Sequence, residues 1–507
     1  MSQGRIALTV AVDQSGPKIS RHIFGQFAEH LGGCVYDSIW VGEDSPIPNV
    51  RGIRTDVVNA LREIKMPNIR WPGGCFADAY HWRNGIGPRE NRPRMRNDTW
   101  GQIETNAFGT HEFLDFCEQV GCEPIICGNL GSGTVQEMRD WVEYLNAPTG
   151  TILADERAAN GHAAPYGVRY WGVGNESWGC GGLMRAEYYA DEFRRYANFL
   201  GSYEKAHLFR IATGPGVDDY HWTEVMMREC AAPRFNPGIM DGLSLHYYMN
   251  GGIPPAKTQQ QLRVTGFSRE EWRTVMAHGW YIEHLIAKHS EIMDRHDPAK
   301  RIKLIVDEWG TWYAPEPTPP PSTLFQQQTI RDAMVSALTF DAFIKHAERV
   351  RMANAAQVAN VLHSAILTFG EHTVRTPTWH AFHLYAPHQD ATRLSVSGEL
   401  TTLEHDGLPY PQLSVTASRD LHGGVTISVA HTDPEKSCDL SLRLPGLPDG
   451  HQASARMLVA ANLDDVNTAD SPDRVSSRTW KDFRFSTGLL EASLPPASIV
   501  TLRFSAP

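Results

Sequence analysis

The sequence predicts a (β/α)8 TIM barrel followed by an all-β sandwich that also takes the N-terminal strand. Three observations carry this prediction. From about residue 20 to 385, short apolar runs alternate with segments of helical spacing, the pattern of parallel strands joined by crossover helices. Beyond about residue 390 the texture changes to alternating, β-branched runs separated by Gly and Pro turns, as in a sandwich. The 507 residues leave room for a long barrel and one smaller domain.

In chain order, Ile6, Leu8, Val10 and Val12 alternate with polar neighbours, so residues 1–16 are assigned a strand. This strand precedes the barrel and has no helix partner, which places it in the sandwich. The barrel is assigned residues 17–388 and the sandwich residues 389–507. Residues 67–71 (PNIRW) form a short strand that ends in a Pro-Gly-Gly turn. Residues 111–120 have helical spacing through Phe113, Leu114 and Cys117, stop at Gly121, and lead into the apolar run 124–127. Runs 170–173, 209–212, 242–245 and 302–306 continue the strand series. So many units favour a closed barrel over an open sheet, and no dinucleotide fingerprint argues otherwise. Residues 315–321 (PEPTPPP) read as a stiff polar loop. In the sandwich, residues 412–417, 424–429 and 498–502 alternate in the same way as the first strand.

Charge and cysteine usage narrow the function classes. The formal charge of −11 provides no electrostatic footprint for a phosphate backbone, so nucleic acid is not an expected partner and a neutral ligand suits the chain better. No apolar run approaches the length of a membrane span. The N-terminal stretch is too short and too interrupted for a secretory core, so a cytoplasmic protein without a membrane partner is expected. The eight cysteines (34, 75, 117, 122, 127, 180, 230 and 438) form no CxxC pair and are expected as reduced, buried thiols. Arg92, Arg94 and Arg96 are expected in a solvated basic loop. His111-Glu112 fails as a zinc motif because position 115 is Asp, and neither a metal nor a cofactor is expected.

Two carboxylates stand out by context. Glu176 follows the strand-like run YWGVGN, and Glu308 follows IKLIVD. Most isolated Glu residues after a strand are solvated loop residues. In a barrel, however, the C-terminal strand ends converge on one mouth, where catalytic groups sit. Two carboxyl groups there are what glycoside hydrolysis needs, one to protonate the leaving oxygen and one to attack or activate water. Their spacing in the chain is compatible with barrel strands four and seven. Asn175 is placed to hydrogen-bond a sugar hydroxyl, and Trp178, Trp309, Trp312 and Tyr313 can offer apolar faces to sugar rings.

Six blocks carry a more specific likeness: FGQFAEHLG at 24–32, RWPGGCF at 70–76, GVGNE at 172–176, SLHYY at 244–248, DEW at 307–309 and MANAAQ at 352–357. With them the chain resembles the α-L-arabinofuranosidases of glycoside hydrolase family 51, in the clan of (β/α)8 retaining glycosidases. The resemblance spans nearly the whole chain and is weakest in the last hundred residues. It implies an exo-acting enzyme that releases terminal non-reducing α-L-arabinofuranose from arabinoxylan- or arabinan-derived oligosaccharides by double displacement. It makes Glu176 the general acid/base and Glu308 the nucleophile, with Glu29, Asn175 and Gln357 binding sugar hydroxyls. It sets Arg70 beside the nucleophile, favouring its charged form, puts Tyr248 on the nucleophile side, and has Trp100 wall the leaving-group subsite. Cys75 stands where many relatives carry Asn and others Cys. The resemblance also implies a homohexamer. The runner-up is an endo-glycanase of the same clan, endoglucanase or xylanase-like. A non-catalytic sugar binder is opposed by the presence of both Glu176 and Glu308. A Schiff-base aldolase would need a Lys at a strand end, whereas Lys303 lies mid-strand with Glu308 at the end.

Overall fold

The computed structural model describes residues 5–203, 207–232, 238–249, 262–314, 324–447 and 450–505. The Pro-rich run 315–321 lies outside them. Eight parallel strands close into a barrel, in chain order Gly25–Phe27, Asn68–Trp71, Glu123–Gly128, Tyr170–Val173, Phe209–Ala212, Gly242–Met249, Lys303–Thr311 and Val350–Ala356. Most of their residues are buried, as expected for strands enclosed by a ring of helices. Those helices begin and end where local chemistry dictates. Ser268 and Thr329 cap Arg269–His296 and Ile330–Lys345 through their hydroxyls. The helix expected at 111–120 forms as Thr110–Val120 and stops at Gly121, whose φ of 83° lies in the left-handed region.

The sixth and seventh strands run further than their apolar cores suggest. The expected 242–245 extends to Met249, and 302–306 extends to Thr311. Pairing resumes after register shifts between Ser244 and His246 and between Val306 and Trp309. Glu308 therefore sits inside its strand rather than at its end. Such a shift re-aims side chains, which lets consecutive residues Asp307 and Glu308 both reach Arg70.

The first strand, Ile6–Ala11, pairs antiparallel with Thr392–Gly398 and parallel with Cys438–Arg443, so it belongs to the C-terminal β-structure. Ten strands form one sheet. Its two edges meet where Trp480 and Phe483 lie 5.6 Å apart, so the sheet folds over a core that includes Leu8, Val10, Ile427, Leu440 and Leu502. It braces the outside of the barrel, with the indole of Trp272 donating to the Thr432 carbonyl at 2.9 Å. The loop expected to be solvated at Arg92, Arg94 and Arg96 is only partly so. Arg94 and Arg96 are exposed, but the Arg92 guanidinium is buried against Glu112 at 3.0 Å.

Candidate active site

Glu176 follows the fourth barrel strand, as expected, on a tightly shaped loop. Its φ of 39° is unusual for a side-chain-bearing residue, a strain of about 1–3 kcal/mol that only surrounding contacts sustain. Gly179 and Gly181 donate to the Glu176 carbonyl at 2.7 and 3.1 Å. The preceding amide, Asn175 N–H, donates to the Asp78 carboxylate at 2.8 Å. Asp78 also accepts the Leu130 and Gly131 amides at 2.7 Å, so one buried carboxylate ties together the loops after strands two, three and four. Burial raises its pKa to about 6 against those amide bonds. Gly181 is required here, because a Cβ would meet the Asn175 carbonyl oxygen at 1.9 Å.

Glu308 lies opposite, on the seventh strand. One oxygen accepts from Arg70 at 2.8 Å and the other from the Tyr248 hydroxyl at 2.8 Å. Arg70 also reaches the Asn175 side-chain oxygen at 2.6 Å and Asp307 at 3.4 Å, and packs 4.8 Å from the Phe27 ring centre. Gly74 must lack a side chain, since a Cβ there would stand 2.7 Å from Glu308 Oε1. Burial pushes the Glu308 carboxyl above its ordinary pKa, while His246, Arg70 and Tyr248 pull it back. Arg70 thus acts in the expected direction, but desolvation outweighs it.

Between the two acids sits His246, to which the sequence reading assigned no role. Its Nδ1 is 2.9 Å from Glu176 Oε1 and 3.6 Å from Glu308 Oε2, and its Nε2 is 3.2 Å from Asp307 Oδ1. Burial works against a charged ring, but the charges of Glu308 and Asp307 outweigh it and raise the pKa to about 10. The ring is therefore an imidazolium at neutral pH, a cation between the two acids. The signal was present in SLHYY, where His246 and Tyr248 are two apart on one strand and share a face. Carboxylate oxygens of Glu176 and Glu308 lie within 4.8 Å of one another and of the imidazole.

A cavity of about 420 Å³ opens over this centre, lined among others by Glu29, Cys75, Trp100, Trp178, Trp312 and Gln357. Glu29 accepts from the Phe76 amide at 3.0 Å, the Trp100 indole at 3.0 Å and the Gln357 amide at 3.1 Å. Burial, reinforced by the charge of Glu308, raises its pKa to about 7. Glu29, Cys75, Trp100, Glu176, Tyr248, Glu308 and Gln357 all face the cavity. Arg70 bonds both Glu308 and Asn175 beside it.

Two expectations need correction. Trp309 and Tyr313 do not offer faces to a ligand. Trp309 is fully buried among Phe340, Phe343 and Phe382, because strand alternation turns it away from Glu308. Tyr313 is buried under the Arg331 guanidinium. Nor are all the cysteines reduced, buried thiols. Cys75 and Cys180 form a disulfide, because the loops after strands two and four converge at the mouth, a meeting invisible across 105 residues of sequence. The other six are free, and all but Cys122 are buried.

Comparison with known proteins places this geometry. Residues 60–250 match the α-L-arabinofuranosidase 1 domain family, and residues 307–498 match the α-L-arabinofuranosidase C-terminal domain family. An intracellular exo-α-L-arabinofuranosidase of Bacteroides ovatus is 44% identical over 99% of this chain and 96% of its own. The crystal structure of the GH51 arabinofuranosidase from Xanthomonas axonopodis pv. citri is 47% identical, with a TM-score of 0.94 over 99% of this chain and all of that one. The α-L-arabinofuranosidase of Thermotoga maritima, solved as an arabinose complex, superposes with a TM-score of 0.85 at 29% identity, covering 98% of this chain and 99% of that one.

Proposed function

The chain belongs to the α-L-arabinofuranosidases of glycoside hydrolase family 51, and on that premise we propose double displacement with Glu308 as nucleophile and Glu176 as general acid/base. It is a glycoside hydrolase that releases terminal α-L-arabinofuranose. The observation that carries the mechanism is the approach of the two carboxylates to within 4.8 Å at the floor of one cavity. That falls short of the about 6.5–9.5 Å of inverting glycosidases and agrees with the about 5 Å spacing of those in which a carboxylate attacks the sugar directly.

In the first step Glu308 attacks the anomeric carbon, held in line by Arg70 and Tyr248. Glu176 gives its proton to the departing oxygen. In the second step Glu176 takes a proton from water, which displaces Glu308 from the sugar with net retention. Glu29, Asn175 and Gln357 hold ring hydroxyls, Asn175 being held in place by Arg70, and Trp100 walls the leaving-group side. His246 keeps both carboxylates oriented. No step calls for a metal or cofactor.

The substrates we propose are arabino-oligosaccharides derived from arabinoxylan or arabinan. No helix of the described residues is long and apolar enough to cross a membrane, and the intracellular naming of the Bacteroides relative supports a cytoplasmic site of action. A homohexamer is proposed from family likeness, and light scattering on the eluted protein tests it. A panel of aryl glycosides followed by anomeric NMR tests the chemistry. The α-L-arabinofuranoside is cleaved with the α-anomer appearing first, whereas initial β-arabinose overturns the mechanism. Release of internal fragments from a linear glucan or xylan would instead favour the endo-acting alternative.

A further inference from the structure

The disulfide Cys75–Cys180 stands against the side chain here assigned as acid/base. Glu176 Oε2 is 3.9 Å from Cys75 Sγ and 3.4 Å from Cys180 Sγ. A disulfide sulfur carries no proton, so these contacts are not hydrogen bonds. Cys180 is exposed and Cys75 half-buried, so the bond is open to reductants. Among the described residues, two clusters of three metal-ligating side chains occur, and this one alone contains sulfur.

Reduction changes the chemistry of this corner. A dithiol gives two electrons and two protons to the S–S bond, which breaks into two thiols while the dithiol closes to its own disulfide. Two unbonded thiols then face a carboxylate oxygen, and each becomes a thiolate when a metal displaces its proton. Tetrahedral zinc, with Zn–S near 2.3 Å and Zn–O near 2.1 Å, needs sulfur–oxygen separations of about 3.6 Å. With the disulfide intact the oxygen stands at 3.4 and 3.9 Å from the two sulfurs. Once reduced, the sulfurs must part to about 3.8 Å for the same tetrahedron, a side-chain rotation across a Cα separation of 5.5 Å. Paired thiolates select thiophilic cations over magnesium or calcium. The fourth position of such a site would be left to water.

We propose that reduced Cys75 and Cys180, together with Glu176, form a site for one thiophilic divalent cation of the zinc or cadmium class, whose binding silences the hydrolase. Binding displaces two thiol protons and takes up the oxygen that must carry the proton to the leaving group. The disulfide form has no thiolate to offer and is blind to the metal. The silencing half rests on the role proposed for Glu176, and the binding half does not.

The test uses the whole enzyme, reduced with a dithiol, desalted without oxygen and titrated with cadmium. The cadmium–thiolate charge-transfer absorbance reports binding, and hydrolysis of an arabino-oligosaccharide reports function. The disulfide-bonded enzyme measures background from the remaining cysteines. The expected result is one additional cadmium per reduced chain and a loss of about 10³-fold in oligosaccharide hydrolysis, the scale of a lost general acid, reversed by a chelator. Cys180→Ser and Cys75→Ser, each checked for folding by thermal unfolding, should abolish the extra absorbance. Glu176→Gln should retain the absorbance and bind cadmium at least about tenfold more weakly, since even a lost outer-shell partner costs about 10–100-fold. Equal absorbance in reduced and oxidised enzyme, or in Cys180→Ser, overturns the site. Unweakened binding in Glu176→Gln removes Glu176 from the ligand set and likewise overturns it. Cysteine-dependent binding with undiminished hydrolysis overturns the silencing and counts against Glu176 as the acid.

Discussion

Glu308 and Asp307 at the barrel mouth lie buried beside two cations, Arg70 and His246. Asp341 is just as buried where the helix Ile330–Lys345 meets the sandwich, yet it faces hydroxyls, with Tyr385 donating at 3.1 Å and Ser414 and Thr416 close by. An isolated buried carboxylate is costly, so it either acquires a cation or stays protonated. At the seam burial wins and the Asp341 pKa rises to about 7. At the mouth the neighbouring cations hold Asp307 below its usual range despite complete burial. The cations at the mouth thus hold Asp307 charged and pull the Glu308 carboxyl down against its burial, whereas no cation opposes burial at Asp341.

The sharpest way to break this contrast is to remove the nucleophile. Glu308→Ala should lower kcat on every substrate by on the order of 10⁵-fold, as when other covalent catalysts lose theirs. A variant that still turns over activated aryl arabinofuranosides at more than a trace would contradict the assignment. Glu176→Ala should cost oligosaccharides about 10³-fold but activated aryl glycosides far less, because only poor leaving groups need the proton. Measuring rate against leaving-group pKa checks this, and equal losses across the series would count against it.

Removing the cation between the acids tests the comparison itself. His246→Gln should lower kcat/KM by about 10²-fold and move the acidic limb of the pH–rate profile to higher pH. The sign follows from charge. Glu308 must be ionised to attack, the imidazolium lowers its pKa, and loss of that cation raises it. A purely structural role for His246 would leave the limb in place.

The smallest effect belongs to the seam. Asp341→Asn should leave kcat unchanged and alter the pH dependence of stability. The Asp341 pKa is about 7 in the folded protein against an ordinary 3.8. The folded state therefore holds its proton more tightly, and the stability this contributes is complete below pH 3.8 and lost as pH rises through 7. The amide mimics the protonated acid, so at pH 8 the variant should exceed the natural protein by up to about 4 kcal/mol, with the gap closing near pH 4. Parallel Tm curves for the two proteins across that range would show that Asp341 is not held neutral.

The contrast also explains what could be read from the chain alone. Glu176 and Glu308 were legible because each follows an apolar run that can only be a barrel strand, and barrel strands end at one mouth. Glu29, Tyr248, Trp100 and Gln357 were placed there through family likeness, and all four face the cavity. His246, Asp78 and the Cys75–Cys180 pair were not legible as a system, because each depends on loops or strands distant in sequence meeting in space. The register shift that brings Asp307 and Glu308 onto one side hid for the same reason. Trp309 looks like a ligand-facing ring when Glu308 is taken as the end of its strand with an aromatic loop beyond it, whereas the strand runs on to Thr311 and its alternation turns Trp309 away from Glu308. In the fold, Trp309 belongs to the core and Asp307 to the site.

Peptide mass mapping of Glu176→Ala quenched during turnover of an activated aryl α-L-arabinofuranoside tests the central claim most directly. With deglycosylation slowed by loss of the base, a pentosyl ester should accumulate on the peptide carrying Glu308 and vanish when Glu308 is also replaced. No adduct, or a pentosyl group on another carboxylate, would contradict the double-displacement account.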